Sequence, residues 1–171
     1  MEKNYRTIWL VSFFAGLAIA LVLIVTLDNP NKTSGKEIAS RSPASLDAYS
    51  YLQQLNTIAQ DSSLLISGTQ SIFEMPLESQ DVKTSLTQVK QAHGKFSGFY
   101  SQAQAMLPPQ ELKKYHQQIT HAIHSYEKGF LLSEVALNEK NPQKMTAAHE
   151  MINNGASEFF NATQLIVQSI K

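Results

Sequence analysis

The chain has 171 residues, 43% of them hydrophobic, with 14 Lys and Arg against 14 Asp and Glu and no cysteine. The balanced charge, with no arginine after Arg41, lacks the electrostatic footprint of a nucleic-acid binder. The missing thiols exclude disulfides, thiolate metal sites and lipid attachment at a cysteine.

Ile8 to Leu27, IWLVSFFAGLAIALVLIVTL, is free of charge along its whole length. At about 1.5 Å per residue a helix of this length spans roughly 30 Å, the thickness of a bilayer's hydrocarbon core. Residues 8–27 are therefore expected to form a single transmembrane helix that stays uncleaved. A cleaved secretion signal is the alternative, with Ala18 and Ala20 as the best small pair, but a cut there leaves the apolar LVLIVTL as the new N-terminus. Lys3 and Arg6 flank the span closely on its N-terminal side, which places residues 1–7 in the cytoplasm and the remainder outside; Lys32, Lys36 and Arg41 are more distant. Tyr5 and Trp9 suit an interfacial position at that end.

Residues 28–44, DNPNKTSGKEIASRSPA, have no apolar period and are rich in Pro, Gly, Ser, Asn and Thr, the composition of a flexible linker. From residue 45 apolar side chains recur every three or four positions, the mark of helices with one buried stripe. The first stripe is Ala48, Leu52, Leu55, Ala59, Ser62, Ile66, Thr69 and Phe73, widened by Ile58 and Leu65, with Ser45 as the expected N-cap and Met75-Pro76 as the stop. The second runs from about Ser79 through Val82, Leu86, Val89, His93, Phe96, Tyr100, Ala103 and Leu107 to Pro108-Pro109, and the second proline is expected in the first turn of the next helix. The third is Leu112, His116, Ile119, Ile123, Tyr126, Phe130, Ser133 and Leu137. Asn141-Pro142 restarts the chain, and the fourth stripe is Met145, Ala148, Ile152, Ala156, Phe159, Thr163, Ile166 and Ile170. Four such helices joined by short connections imply an all-α domain over residues 45–171, an up-down antiparallel four-helix bundle.

His93 and His116 fall on the stripes of neighbouring helices, and with Tyr100 and Tyr126 they place polar groups inside the bundle. Buried polar groups need partners, so the expected arrangement is hydroxyls and imidazoles satisfying one another; the functional alternative is a ligand pocket or sensory seam at these four residues. His121 and His124 are three apart on one helix, but His121 points away from the third stripe and no third ligand stands in register, so no metal is expected. Gly94 and Gly98 share a face that another helix could approach closely. The first helix is acidic, with Asp47, Asp61, Glu74, Glu78 and Asp81. Lys83, Lys90, Lys95, Lys113 and Lys114 make the junction of the second and third basic. Asn31-Lys32-Thr33 and Asn161-Ala162-Thr163 match the glycosylation acceptor pattern, of consequence only in a eukaryotic secretory pathway. The sequence shows no nucleophile beside a base, no paired carboxylates in an apolar setting and no phosphate-binding loop, so no enzyme and no cofactor is expected.

The stretch from Leu107 to Gly155, with Pro109, Glu111-Leu112, His116, Tyr126, Gly129, Ala136-Leu137, Ile152 and Gly155, resembles the C-terminal helical hairpin of small exported bacterial bundle proteins, membrane-anchored or lipoprotein-type. The missing lipobox cysteine departs from the lipoprotein members, and the resemblance implies that a helical anchor replaces the lipid. The architecture is also similar to the four-helix sensor domains of chemoreceptors, although those carry a second span and a signalling module that the run to Lys171 does not display. The resulting expectation is a single-pass envelope protein whose extracytoplasmic bundle binds a protein partner, with a ligand-binding or sensory bundle as the alternative.

Overall fold

The computed structural model describes residues 43–169, with side chains from residue 48 onward. The expected N-terminus 1–7, the span 8–27, nearly all of the linker 28–44, the Asn31 acceptor motif and Ile170 lie outside the described residues. Among the described residues the fold is all-helical, with four long helices, no strand, and no helix long and apolar enough to cross a membrane.

Helix α1 spans Pro43–Glu74. It begins ahead of Ser45, which sits inside its first turn and not before it as a cap, because proline's fixed φ suits a first helical position. The helix stops at Glu74, one residue before the residue that Pro76 drives out of helical geometry. A 3-10 turn, Leu77–Ser79, follows. The buried Gln80 amide then donates to the carbonyls of Ile72 (2.8 Å) and Met75 (2.9 Å), so one side chain ties down the end of α1.

Helix α2 spans Val82–Ala105. Asp81 caps it: Oδ1 accepts from the Lys83 and Thr84 amides, and Oδ2 from the Thr84 hydroxyl at 2.6 Å. These bonds, the Thr84 hydroxyl first among them, hold its carboxyl below the usual value. At the other end Met106 is extended and buried, so Leu107 leaves the helical face and is 91% exposed. The expected place of Leu107 on the stripe is thereby corrected: the helix ends at Ala105, before Leu107, the residue that Pro108 bars from helical geometry. Pro109 likewise precedes a 3-10 turn, Gln110–Leu112, and does not sit within the next helix.

Helix α3 spans Lys113–Glu139 and α4 spans Pro142–Ser169. Between them Lys140 takes a left-handed φ of 51°. The Asn141 amide reaches the Ala136 carbonyl at 2.9 Å and the Lys140 amide reaches that of Leu137 at 3.3 Å, the paired bonds of a Schellman cap. Asn141 Oδ1 then accepts from the Lys144 amide at 3.0 Å, which makes it the expected N-cap ahead of Pro142.

The chain divides into two compact units, one holding α1 up to Ser63 together with Leu107–Lys113, the other Leu64–Met106 with Lys114 onward. In the first unit Tyr51, Leu52, Leu55, Ile58, Ala59 and Leu112 are buried. Tyr51 is an addition to the expected stripe.

In the second unit every described member of the third and fourth stripes that falls within it is buried. The second stripe is turned from expectation. Ser85 and Ala92 are buried, while Val82, Leu86, His93 and Tyr100 sit at its edge. Ile72 replaces the half-buried Ile66 and Phe73 as the deepest apolar residue of the last turns of α1. Phe96 stacks on Phe130 with centroids 5.3 Å apart and tilts against Tyr126 at 4.9 Å, while Phe73 meets Phe130 edge-on at 6.2 Å. Rising positions on α2 meet falling positions on α3: His93 with Glu134, Phe96 with Phe130 and Tyr126, Tyr100 with His124. Those two helices therefore run antiparallel. So do α3 and α4, where Gly129 lies by Ala148 and Ile152, and Gly155 by Ala122 and Tyr126.

Small residues set the second pairing. Ala122, Gly129 and Ala136 on α3, and Ala148, Gly155 and Ala162 on α4, recur every seven positions and are all buried. A seven-residue repeat keeps one narrow face toward a partner helix, and small side chains on that face let the backbones close in.

Candidate functional site

A cleft of about 440 Å³ opens between α2 and α3 in the second unit. Tyr100 and Gln104 line it from α2, and His116, Gln117, Thr120, His121 and His124 from α3. The α3 residues gather there because positions three, four and seven apart share a helix face.

His124 lies flat against Tyr100, ring centroids 4.4 Å apart and planes 14° from parallel. Its Nδ1 is 3.0 Å from Glu127 Oε2. Burial pushes the Glu127 carboxyl up, but hydrogen bonds from His124 and Ser97 and the charges of His124 and His93 outweigh it, so the group sits below its usual range. His121 Nδ1 reaches Glu158 Oε2 of α4 at 2.6 Å. His116, buried at the cleft floor, donates to the Ala103 carbonyl. Desolvation holds its pKa below the ordinary imidazole value despite that bond. The Thr120 hydroxyl donates back to the His116 carbonyl at 2.9 Å.

The four residues expected to form one polar seam are divided. Tyr100 and His116 line the cleft; His93 and Tyr126 do not. His93 is taken by a carboxylate, its Nδ1 2.7 Å from Glu134 Oε1. Tyr126 belongs to the aromatic core, where burial pushes its hydroxyl far above the usual value. Of the two histidines, His93 takes a carboxylate and His116 a backbone carbonyl; an ionised carboxylate is a strong acceptor for an imidazole N–H. The fifth histidine, His149, stacks on Phe73 at 5.0 Å, and burial lowers its pKa against the pull of Glu74 and Glu150.

Sequence reasoning missed Glu127, Glu134 and Glu158. Only the His124–Glu127 pair, three apart on one helix, carried a local signal; the other two partners lie 41 and 37 residues from their histidines. Gly94 and Gly98 are exposed with nothing within 4 Å of a would-be Cβ, and the close approach belongs to Gly129 and Gly155. In the Asn161 acceptor motif the Thr163 hydroxyl is buried and donated to the Phe159 and Phe160 carbonyls. Among the described residues no group of three or more His, Cys, Asp or Glu is placed to hold a metal ion. No known family model, curated protein or solved structure matches the chain.

Proposed function

We propose that the chain is a single-pass membrane protein, anchored through residues 8–27 with its N-terminus in the cytoplasm, whose helices close outside the membrane as an up-down antiparallel bundle. The bundle serves as a protein-interaction or accessory subunit of a bacterial envelope. The observation that carries this reading is a filled interior: Phe96, Ile119, Ile123, Tyr126, Phe130 and Phe159 occupy the space between the helices of the second unit as packed side chains, so recognition falls to the exterior. Crosslinking in intact cells, followed by purification through the full chain, is expected to recover one envelope protein in fixed stoichiometry. Protease added to cells stripped of their outer layers is expected to remove the helical domain. A protected domain, or a protein that crosslinks to nothing in fixed ratio, removes this reading.

The cleft favours a second reading, a ligand-binding or sensory bundle that uses Tyr100 and His116 with His121 and His124. Its mark is ligand-dependent melting that Tyr100→Ala abolishes while the unliganded protein still unfolds cooperatively.

A further inference from the structure

The cleft's chemistry names a class of ligand. His121 and His124 are three apart on α3, which puts their Cβ atoms about 5–6 Å apart on one surface, and both rings line the same cleft. Each ring is anchored at the same nitrogen, Nδ1, by a carboxylate: Glu158 at 2.6 Å and Glu127 at 3.0 Å. A carboxylate only accepts, so in the neutral rings Nδ1 carries the proton and Nε2 keeps its lone pair. Histidine held this way is the usual form of a metal ligand, since the carboxylate fixes the tautomer and makes the outer nitrogen a better donor.

Electrostatics point the same way. The Glu127 and Glu158 carboxylates stand behind the two rings, and no lysine or arginine lines the cleft; such a site favours cations over anions. Imidazole nitrogen selects zinc, copper or nickel over magnesium or calcium, which take oxygen ligands.

We propose that the cleft binds one divalent transition-metal ion of the zinc, copper or nickel class through Nε2 of His121 and His124, with water completing the coordination sphere. His124 is held in place by its stack on Tyr100. The His121 side chain is 69% exposed, so an ion reaches it from solvent. Two protein ligands make an open, exchangeable site, unlike the closed four-ligand sites that hold structural zinc. The inference rests on the cleft reading and is independent of any protein partner.

The test uses the metal-free full chain titrated with Cu²⁺, followed by electron paramagnetic resonance and by competition with Zn²⁺. One equivalent is expected to bind, with hyperfine coupling from two imidazole nitrogens. His121→Ala and His124→Phe, the latter keeping a ring against Tyr100, are each expected to weaken binding at least tenfold, and the double variant to abolish the two-nitrogen signal. Glu158→Gln, which removes the charge behind His121, is expected to weaken binding about tenfold. His93→Ala, outside the cleft, leaves the signal intact. Failure of the intact protein to bind, or a two-nitrogen signal that survives in the double variant, overturns the assignment. In that event a small organic ligand that raises the melting temperature through Tyr100 still supports the cleft reading, so the two failures are distinguishable.

Discussion

A Cβ built on Gly129 stands 2.6 Å from Cγ1 of Ile152, and it would also lie 3.1 Å from the Ala148 carbonyl oxygen. Gly155 repeats the relationship in the other direction, its Cβ falling 2.9 Å from the Ala122 carbonyl oxygen. Each glycine thus meets the backbone of the alanine seven residues ahead of the other, so the α3–α4 crossing has a local two-fold character. A backbone carbonyl cannot rotate out of the way as a side chain can.

Gly155→Ala is therefore expected to destabilise the protein by about 1–3 kcal/mol through overpacking, and Gly129→Ala by a similar amount. Gly94→Ala and Gly98→Ala, in open space on an exposed helix face, are expected to stabilise it by about 0.5–1 kcal/mol. Urea unfolding of the four single variants checks the contrast. Equal effects at all four positions would falsify the close approach.

Phe96 is fully buried between Phe130 and Tyr126. Phe96→Ala is expected to cost about 3–5 kcal/mol, the usual loss for an aromatic at the centre of a core. Tyr100→Ala removes a ring at the edge and is expected to cost much less. Thermal melts of both variants rank the two positions.

Lys140 holds a left-handed backbone at the α3 terminus. A Cβ in that conformation is strained, and glycine is the residue that adopts it freely. Lys140→Gly is expected to stabilise the protein by about 1 kcal/mol, read as a shift of the urea midpoint with an unchanged slope.

His116 and His149 are each held below the ordinary imidazole value, chiefly by burial. Folded protein then binds fewer protons than unfolded protein, so stability is fully present above the unfolded value of 6.5 and declines as pH falls through it toward the lower folded value. Glu127, held below its usual range, contributes stability that is fully present above the unfolded value of 4.5 and is lost as pH falls below it. Denaturation midpoints measured from pH 7.5 down to pH 5 are expected to fall. His149→Phe, which keeps a ring against Phe73, is expected to flatten that slope. A slope that His149→Phe leaves unchanged would assign the pH dependence elsewhere.

The third and fourth stripes were legible because helix periodicity is a local property: Leu112 through Leu137 and Met145 through Ile166 all lie buried where the three-four spacing puts them. The stops before Pro76 and Pro108 and the restart at Pro142 were legible for the same reason, since proline acts on its immediate neighbours. The small-residue repeat through Gly129 and Gly155 was present in the same letters. Only the pairing of α3 with α4 distinguishes it from Gly94 and Gly98, which have the closer spacing but face open space. The partners of His93 and His121 belong to other helices, and no pattern within one helix can announce a carboxylate on another. Local chemistry made the helices and their buried faces; the rotation of each helix about its axis, decided only when they pack, chose which glycines touch backbone and which imidazoles find a carboxylate.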